Sequence, residues 1–165
     1  MEINDPEFPL LVQLKEMSKE EYYHAIHTAY LSDRIAKRLG MDDTAAKACG
    51  YYHRIGRLRG ENTWENVSAI CSEYHFPPNA RKILKEFVDE SEKVVSRETI
   101  VVLFADCVVS SLLYLFEKDP KAELDYAQLV NTVFRKKFET DELWGNEISL
   151  AQITEMKKIF TEEKL

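Results

Sequence analysis

The sequence predicts an all-α fold, and three observations carry that prediction. Apolar residues recur at spacings of three and four along most of the chain, and no stretch shows the strict alternation of a half-buried strand. Only five Gly and five Pro punctuate 165 residues, which leaves room for long uninterrupted elements. Ser18 with Glu21, and Ser149 with Gln152, are capping-box patterns that mark helix starts.

In chain order, a short helix is expected over residues 10–17. At Ser18 the hydroxyl can take an orphan backbone N–H while the Glu21 carboxylate reaches back. The helix it opens runs to Leu39 and stops at Gly40, with Ala25, Thr28, Leu31, Ile35 and Leu39 on its inward stripe. The next begins at Asp42 or Asp43, turns Ala45, Ala46, Cys49, Tyr52 and Ile55 inward, and is expected to continue to Arg59 and Gly60. A helix over 63–74 stops before Phe76-Pro77-Pro78, and another covers 79–89. Ser96 is expected to cap a long apolar helix ending at Glu117, before Asp119-Pro120. Residues 125–138 form a further helix, 139–147 read as a loop, and the Ser149 box opens a last helix ending near Phe160. This makes a bundle of about seven helices behind the short leading helix. No internal repeat, low-complexity segment or long linker interrupts it, so residues 1–165 read as a single domain.

Composition narrows the function classes. The formal net charge of -7 disfavours extended nucleic acid, whose phosphates an acidic surface repels, while leaving room for a local basic pocket. Cys49, Cys71 and Cys107 form no CxxC pair, which suits a reducing cytoplasm and gives no zinc-ribbon signal. The start of the chain has no basic n-region of a signal peptide. The apolar run over 100–116 is broken by Asp106 and serines, and reads as a core helix rather than a membrane insertion.

The chemistry concentrates at three places. His24 opens a helical face, His53-Arg54-Ile55-Gly56-Arg57 closes the following helix, and Asp106 stands alone in the most apolar helix. A carboxylate inside a core helix is costly without a cation or metal to compensate it. Its candidate partners are His24, His53 and the arginines around Arg54. An isolated histidine is more often a packed residue than a ligand, and His27 and His75 are read so. Arg57 and Arg59 alone would be a solvated helix end, favourable beside the C-terminal dipole.

Taken together, these blocks resemble the HD superfamily of metal-dependent phosphohydrolases, above all the cytoplasmic HD domain of seven-transmembrane cyclic-di-AMP phosphodiesterases. Pro9-Leu10-Leu11 followed by Tyr22-Tyr23-His24 is similar to that subfamily's lead-in. The run from Tyr51 to Leu58 resembles its Tyr-His-Asp-Ile-Gly-Lys block, and Arg97 to Asp106 its Glu-Thr-Ala-Ile-Val-Met-Leu-Ala-Asp stretch. The tail, Ile148-Ser149-Leu150 through Ile159-Phe160, is similar to its closing helix. The resemblance implies an HD-domain bundle in which His24, His53 and Asp106 are the residual metal ligands, able to hold one divalent transition metal (Mn, Fe, Ni, Co or Zn).

The sequence departs from the family at the decisive ligand. Arg54 occupies the place of the metal-binding Asp, and a guanidinium cannot be deprotonated. Thr63, Phe87 and Val88 fall where further histidines would bind a second metal, and the segment at Gly60-Glu61-Asn62 is short. The resemblance therefore implies a degenerate, non-catalytic HD domain with no cofactor. Arg54 would replace the metal in a buried, hydrogen-bonded pair with Asp106. Its role is then regulatory, nucleotide- or phosphate-binding through Arg54, Arg57, His24 and His53, or an interaction with a protein partner. The alternative is a mononuclear phosphohydrolase acting on a nucleotide or small phosphate ester, with Arg57 stabilising transition-state charge. Trp144 and the Tyr-rich stretch at Tyr22-Tyr23 could supply an interface, though core packing is the commoner use of such aromatics.

Overall fold

In the computed structural model, which describes residues 1–121, 123–139 and 149–163, helix α2 (Lys19–Arg38) is the centre of the architecture. It packs on α1 (Pro9–Met17), α3 (Asp43–Tyr52), α6 (Arg97–Lys118) and α8 (Leu150–Glu162). Helix α5 (Pro78–Val88) closes one side against α3, α4 (Trp64–Glu73) packs on α5, and α7 (Tyr126–Glu139) lies between α6 and α8. The described residues thus form eight α-helices and one 3-10 helix, with no strand. The expected loop, apart from Glu139, and with it Trp144, lies outside the described residues.

The periodicity that predicted these helices is the periodicity that buries them. Leu31, Ile35, Ala46, Cys49, Tyr52 and Ile55 are all fully enclosed. Helix α6 has the length and apolarity of a membrane-crossing helix, yet half of its most apolar window is buried within the fold. On its far side Phe104 stacks on Phe134 of α7 with ring centroids 4.0 Å apart, and Phe134 meets Phe160 of α8 edge-on at 5.6 Å.

Helix ends depart from expectation in instructive ways. The second long helix does not run to Arg59. It ends at Tyr52, and residues Ile55–Arg59 form the 3-10 turn. Asn62 is the reason: its Nδ2 donates to the His53 carbonyl at 2.8 Å, and its Oδ1 accepts from the Gly56 N–H at 3.1 Å. Those are backbone groups a continuing helix would need for itself. Ser18 does cap α2 by accepting from the Glu21 N–H, but its own N–H bonds the Leu14 carbonyl, so the box is only half formed. The box at Ser149 and Gln152 is complete. Ser96 precedes α6 without capping it through its side chain; the hydroxyl donates instead to Glu86 of α5 at 2.6 Å.

Candidate metal and ligand site

Three elements bring the site together. His24 projects from α2, His53 is the residue that ends α3, and Asp106 comes from the middle of α6. The two imidazoles are buried, 3% and 1% exposed, with ring centroids 5.3 Å apart. Their approach depends on Gly50, one turn before His53. A Cβ there would lie 2.5 Å from the Ala29 Cα, so only glycine lets α3 come this close to α2.

Hydrogen bonds define the tautomers. The Gly50 carbonyl can only accept, so His53 Nδ1, 2.8 Å away, carries the proton. His53 Nε2 is buried, without a hydrogen-bond partner, and 3.4 Å from an Asp106 oxygen. His24 Nε2 donates to that same Oδ1 at 2.6 Å. Burial, with the nearby charges of Arg54 and His53, holds His24 below the ordinary imidazole range against the opposing bond to Asp106. Burial would raise Asp106, but the two histidines outweigh it and hold its carboxyl far below the usual range. The carboxylate in the middle of α6 is thus compensated, as its setting requires.

Arg54 stands beside this group, but not as the sequence suggested. Its Nη2 is 3.6 Å from Asp106 Oδ1 and its Nη1 is 3.6 Å from Glu21 Oε2. Both separations are too long for hydrogen bonds, and the side chain is 30% exposed. The expected buried, hydrogen-bonded Arg–Asp pair is therefore replaced by a half-buried cation shared between two carboxylates. The reason is Glu21, which lies three residues before His24 on the same helix face and draws the guanidinium outward. Glu21 also bonds Arg57 through its other oxygen. Arg57 consequently points at Glu21 and does not touch the histidines or Asp106.

The remaining positions are equally plain. Phe87 presents its ring edge-on to His53 at 5.1 Å, an apolar neighbour that cannot ligate a metal. Thr63 accepts from the Asn66 N–H and caps α4. Exposed His75 sits in the turn after α4, and His27 on α2 lies outside the cluster. Among the described residues, His24, His53 and Asp106 form the one group of this kind that could hold a metal, with donor atoms within 4.8 Å of one another.

As arranged, that donor set does not fit a resident divalent ion. His53 Nε2 faces the group, but His24 and Asp106 are bonded to each other, and the permanent cation of Arg54 stands 3.6 Å from Asp106. Ligation by His24 Nε2 would require release of its proton. A cleft of about 250 Å³ leads to this group, lined by Glu20, Glu21, Arg54, Tyr114 and Glu117 among others. A larger one, about 510 Å³, lies between the N-terminal segment and α3 and contains none of the site residues.

The helix order is that of an HD-domain bundle, the fold the sequence blocks implied. No protein-family model and no curated protein matches the sequence. Among solved structures, the chain is similar to the HD domain of the L. monocytogenes phosphodiesterase PgpH, with a TM-score of 0.76 at 13% identity over 94% of this chain and 97% of that one. It is also similar to that HD domain in complex with cyclic-di-AMP, with a TM-score of 0.75 at 14% identity over 93% and 94% of the two chains. At such identity the likeness concerns the fold.

Proposed function

We propose that this chain is a single-domain, degenerate HD protein of the cytoplasm that does not act as a phosphohydrolase and that binds a nucleotide or small phosphorylated ligand in a regulatory role. The observation that carries this reading is Arg54, a fixed positive charge 3.6 Å from the Asp106 oxygen that should hold the metal. A hydrolytic metal makes hydroxide from bound water and stabilises charge on the phosphoryl oxygens. Here the protein satisfies Asp106 by itself through His24, His53 and Arg54. The cyclic-di-AMP complex of the PgpH domain supports a nucleotide as the class of ligand. A protein partner is compatible with the same role. Extended nucleic acid is disfavoured by the acidic surface.

The competing reading is a mononuclear phosphohydrolase, with His24, His53 and Asp106 holding one metal and Arg57 supplying charge to the transition state. The unpartnered Nε2 of His53 is the observation in its favour. Elemental mass spectrometry separates the two, on protein purified without chelator or metal-affinity tag. The proposal expects less than about a tenth of an equivalent of Mn, Fe, Co, Ni or Zn, unchanged by supplementation, and a clear gain of metal in Arg54→Asp, which restores the acidic ligand. Close to one equivalent in the natural chain, lost on His24→Ala, would overturn it.

A further inference from the structure

Helix α5 is sharply two-sided. It turns Ala80, Ile83 and Leu84 into the core, while Pro78, Arg81, Lys82 and Lys85 recur at spacings of three and four on its outer face. Beside them stands Trp64, the first residue of α4, partly buried against the same core. With Phe76 these residues line an open groove of about 660 Å³. No carboxylate lines it, whereas the clefts that contain Asp42, Glu21 and Asp106 all carry one. In a chain of net charge -7, a groove with three cations is a local exception to the field. Arg81 is held by two backbone carbonyls, that of Phe76 at 2.9 Å from Nε and that of Cys71 at 3.1 Å from Nη2, and both acceptors are uncharged. Lys82 is exposed and makes no ion pair among the described residues. Lys85 pairs with Glu92 at 3.1 Å, but the two side chains are 44% and 40% exposed, and such a surface pair contributes little. The first turn of α5 contains no acidic residue, so the positive end of its dipole adds to the same potential.

We infer that this groove docks an acidic segment of a partner protein, with an apolar side chain of the segment on Trp64 and its carboxylates along Arg81, Lys82 and Lys85. Charge complementarity is the first argument. A row of cations with no acid among them attracts a negatively charged chain and repels a basic one. The second is the layout of those cations. They run along one face of a helix, Pro78 has no N–H, and no hydroxyl lines the groove. The cradle of donors that closes around a single phosphate is therefore missing, whereas a segment with several carboxylates can meet the cations one by one. The third is the aromatic centre. Tryptophan and arginine are the residues that most often anchor protein interfaces, with lysine at the rim. A groove of this size holds a short segment, so the contact belongs to the weak, transient class of association. It shares no residue with the cleft at Arg54, so a partner here and a ligand there are separate events.

The test is isothermal titration calorimetry with a synthetic peptide of Asp and Glu around a central Leu, its Asn and Gln counterpart, and AMP. The acidic peptide is expected to bind the natural chain with a Kd of about 100 μM or tighter, weakening as salt is raised. Lys82→Glu/Lys85→Glu is expected to weaken it by about ten-fold or more. Arg135→Glu/Lys158→Glu makes the same change in net charge at exposed positions on α7 and α8, and is expected to change the affinity by less than about two-fold. In a Trp144→Phe background, where Trp64 is the one remaining indole, the acidic peptide is expected to shift the tryptophan emission. Failure of the acidic peptide to bind at millimolar concentration would overturn the assignment. So would equal binding by the two double variants, which would reduce the effect to net charge, or equal binding of the Asn and Gln peptide. Tighter binding of AMP than of the acidic peptide, lost in Lys82→Glu/Lys85→Glu, would make the groove a nucleotide site and overturn it as a protein-docking surface.

Discussion

Arg54 places a permanent charge within 3.6 Å of two carboxylates and hydrogen-bonds neither. Glu21 Oε2 is buried without a hydrogen-bond partner, so Arg54 compensates it by charge alone. Residue identity told only that a cation follows His53; which carboxylate it favours depends on Glu21, whose place one helical turn before His24 was legible but was assigned to capping. Gly50 is the other residue whose importance was hidden. It separates α2 from α3 by less than a side chain's width and holds His53 through its carbonyl. Gly50→Ala would drive a Cβ into the Ala29 backbone, and is expected to cost about 3 kcal/mol or more, the upper range for overpacking. Urea denaturation checks the loss, and a shifted His53 resonance in NMR spectra would report the disturbed pair.

At the scale of the element, helix ends hold most of the information. Gly40, at φ 69°, closes α2 with its N–H on the Lys37 carbonyl and the Met41 N–H on the Ala36 carbonyl. That pattern is a Schellman motif, and its glycine made it readable in advance. His75, at φ 54°, closes α4 in the same way, with its N–H on Ser72 and the Phe76 N–H on Cys71. Nothing in a histidine announces a left-handed residue, which explains why the turn was legible only from the prolines behind it. Helix α6 shows the reverse case. Its expected cap, Ser96, leaves the work to Glu86, whose carboxylate accepts the N–H groups of Val95 and Ser96 at 2.8 Å and the Ser96 hydroxyl at 2.6 Å. Glu86 thereby ties α5 to the start of the helix that carries Asp106. Glu86→Ala is expected to destabilise the protein by about 3 kcal/mol, because it strands buried donors. Equilibrium unfolding measures that loss, and a value below about 1 kcal/mol would mean the cluster is not load-sharing in this way.

Across the whole molecule, one apolar cluster runs from Phe8 to Phe160 and joins all the α-helices. The last helix closes it. Phe160 is fully buried against the stacked Phe104 and Phe134, and Arg38 of α2 pairs with Glu162 at 2.6 Å on the outside. Phe160→Ala is expected to cost about 3–5 kcal/mol. Thermal unfolding would show the drop. If the change instead left the melting temperature intact, α8 would be an appendage rather than part of the cooperative unit. The exposed pair Arg38–Glu162 contributes little beside this.

What the sequence determined by itself is local: the helical period, the caps, the order of the HD-like blocks, and the presence of an arginine directly after His53. These follow from residues three or four apart, whose relation to one another is the same wherever the helix lies. The tertiary structure decided the partnerships. His24 meets Asp106 across 82 positions, and Arg57 meets Glu21 across 36. Charge interactions depend on distance through space, and only the packed helices set those distances.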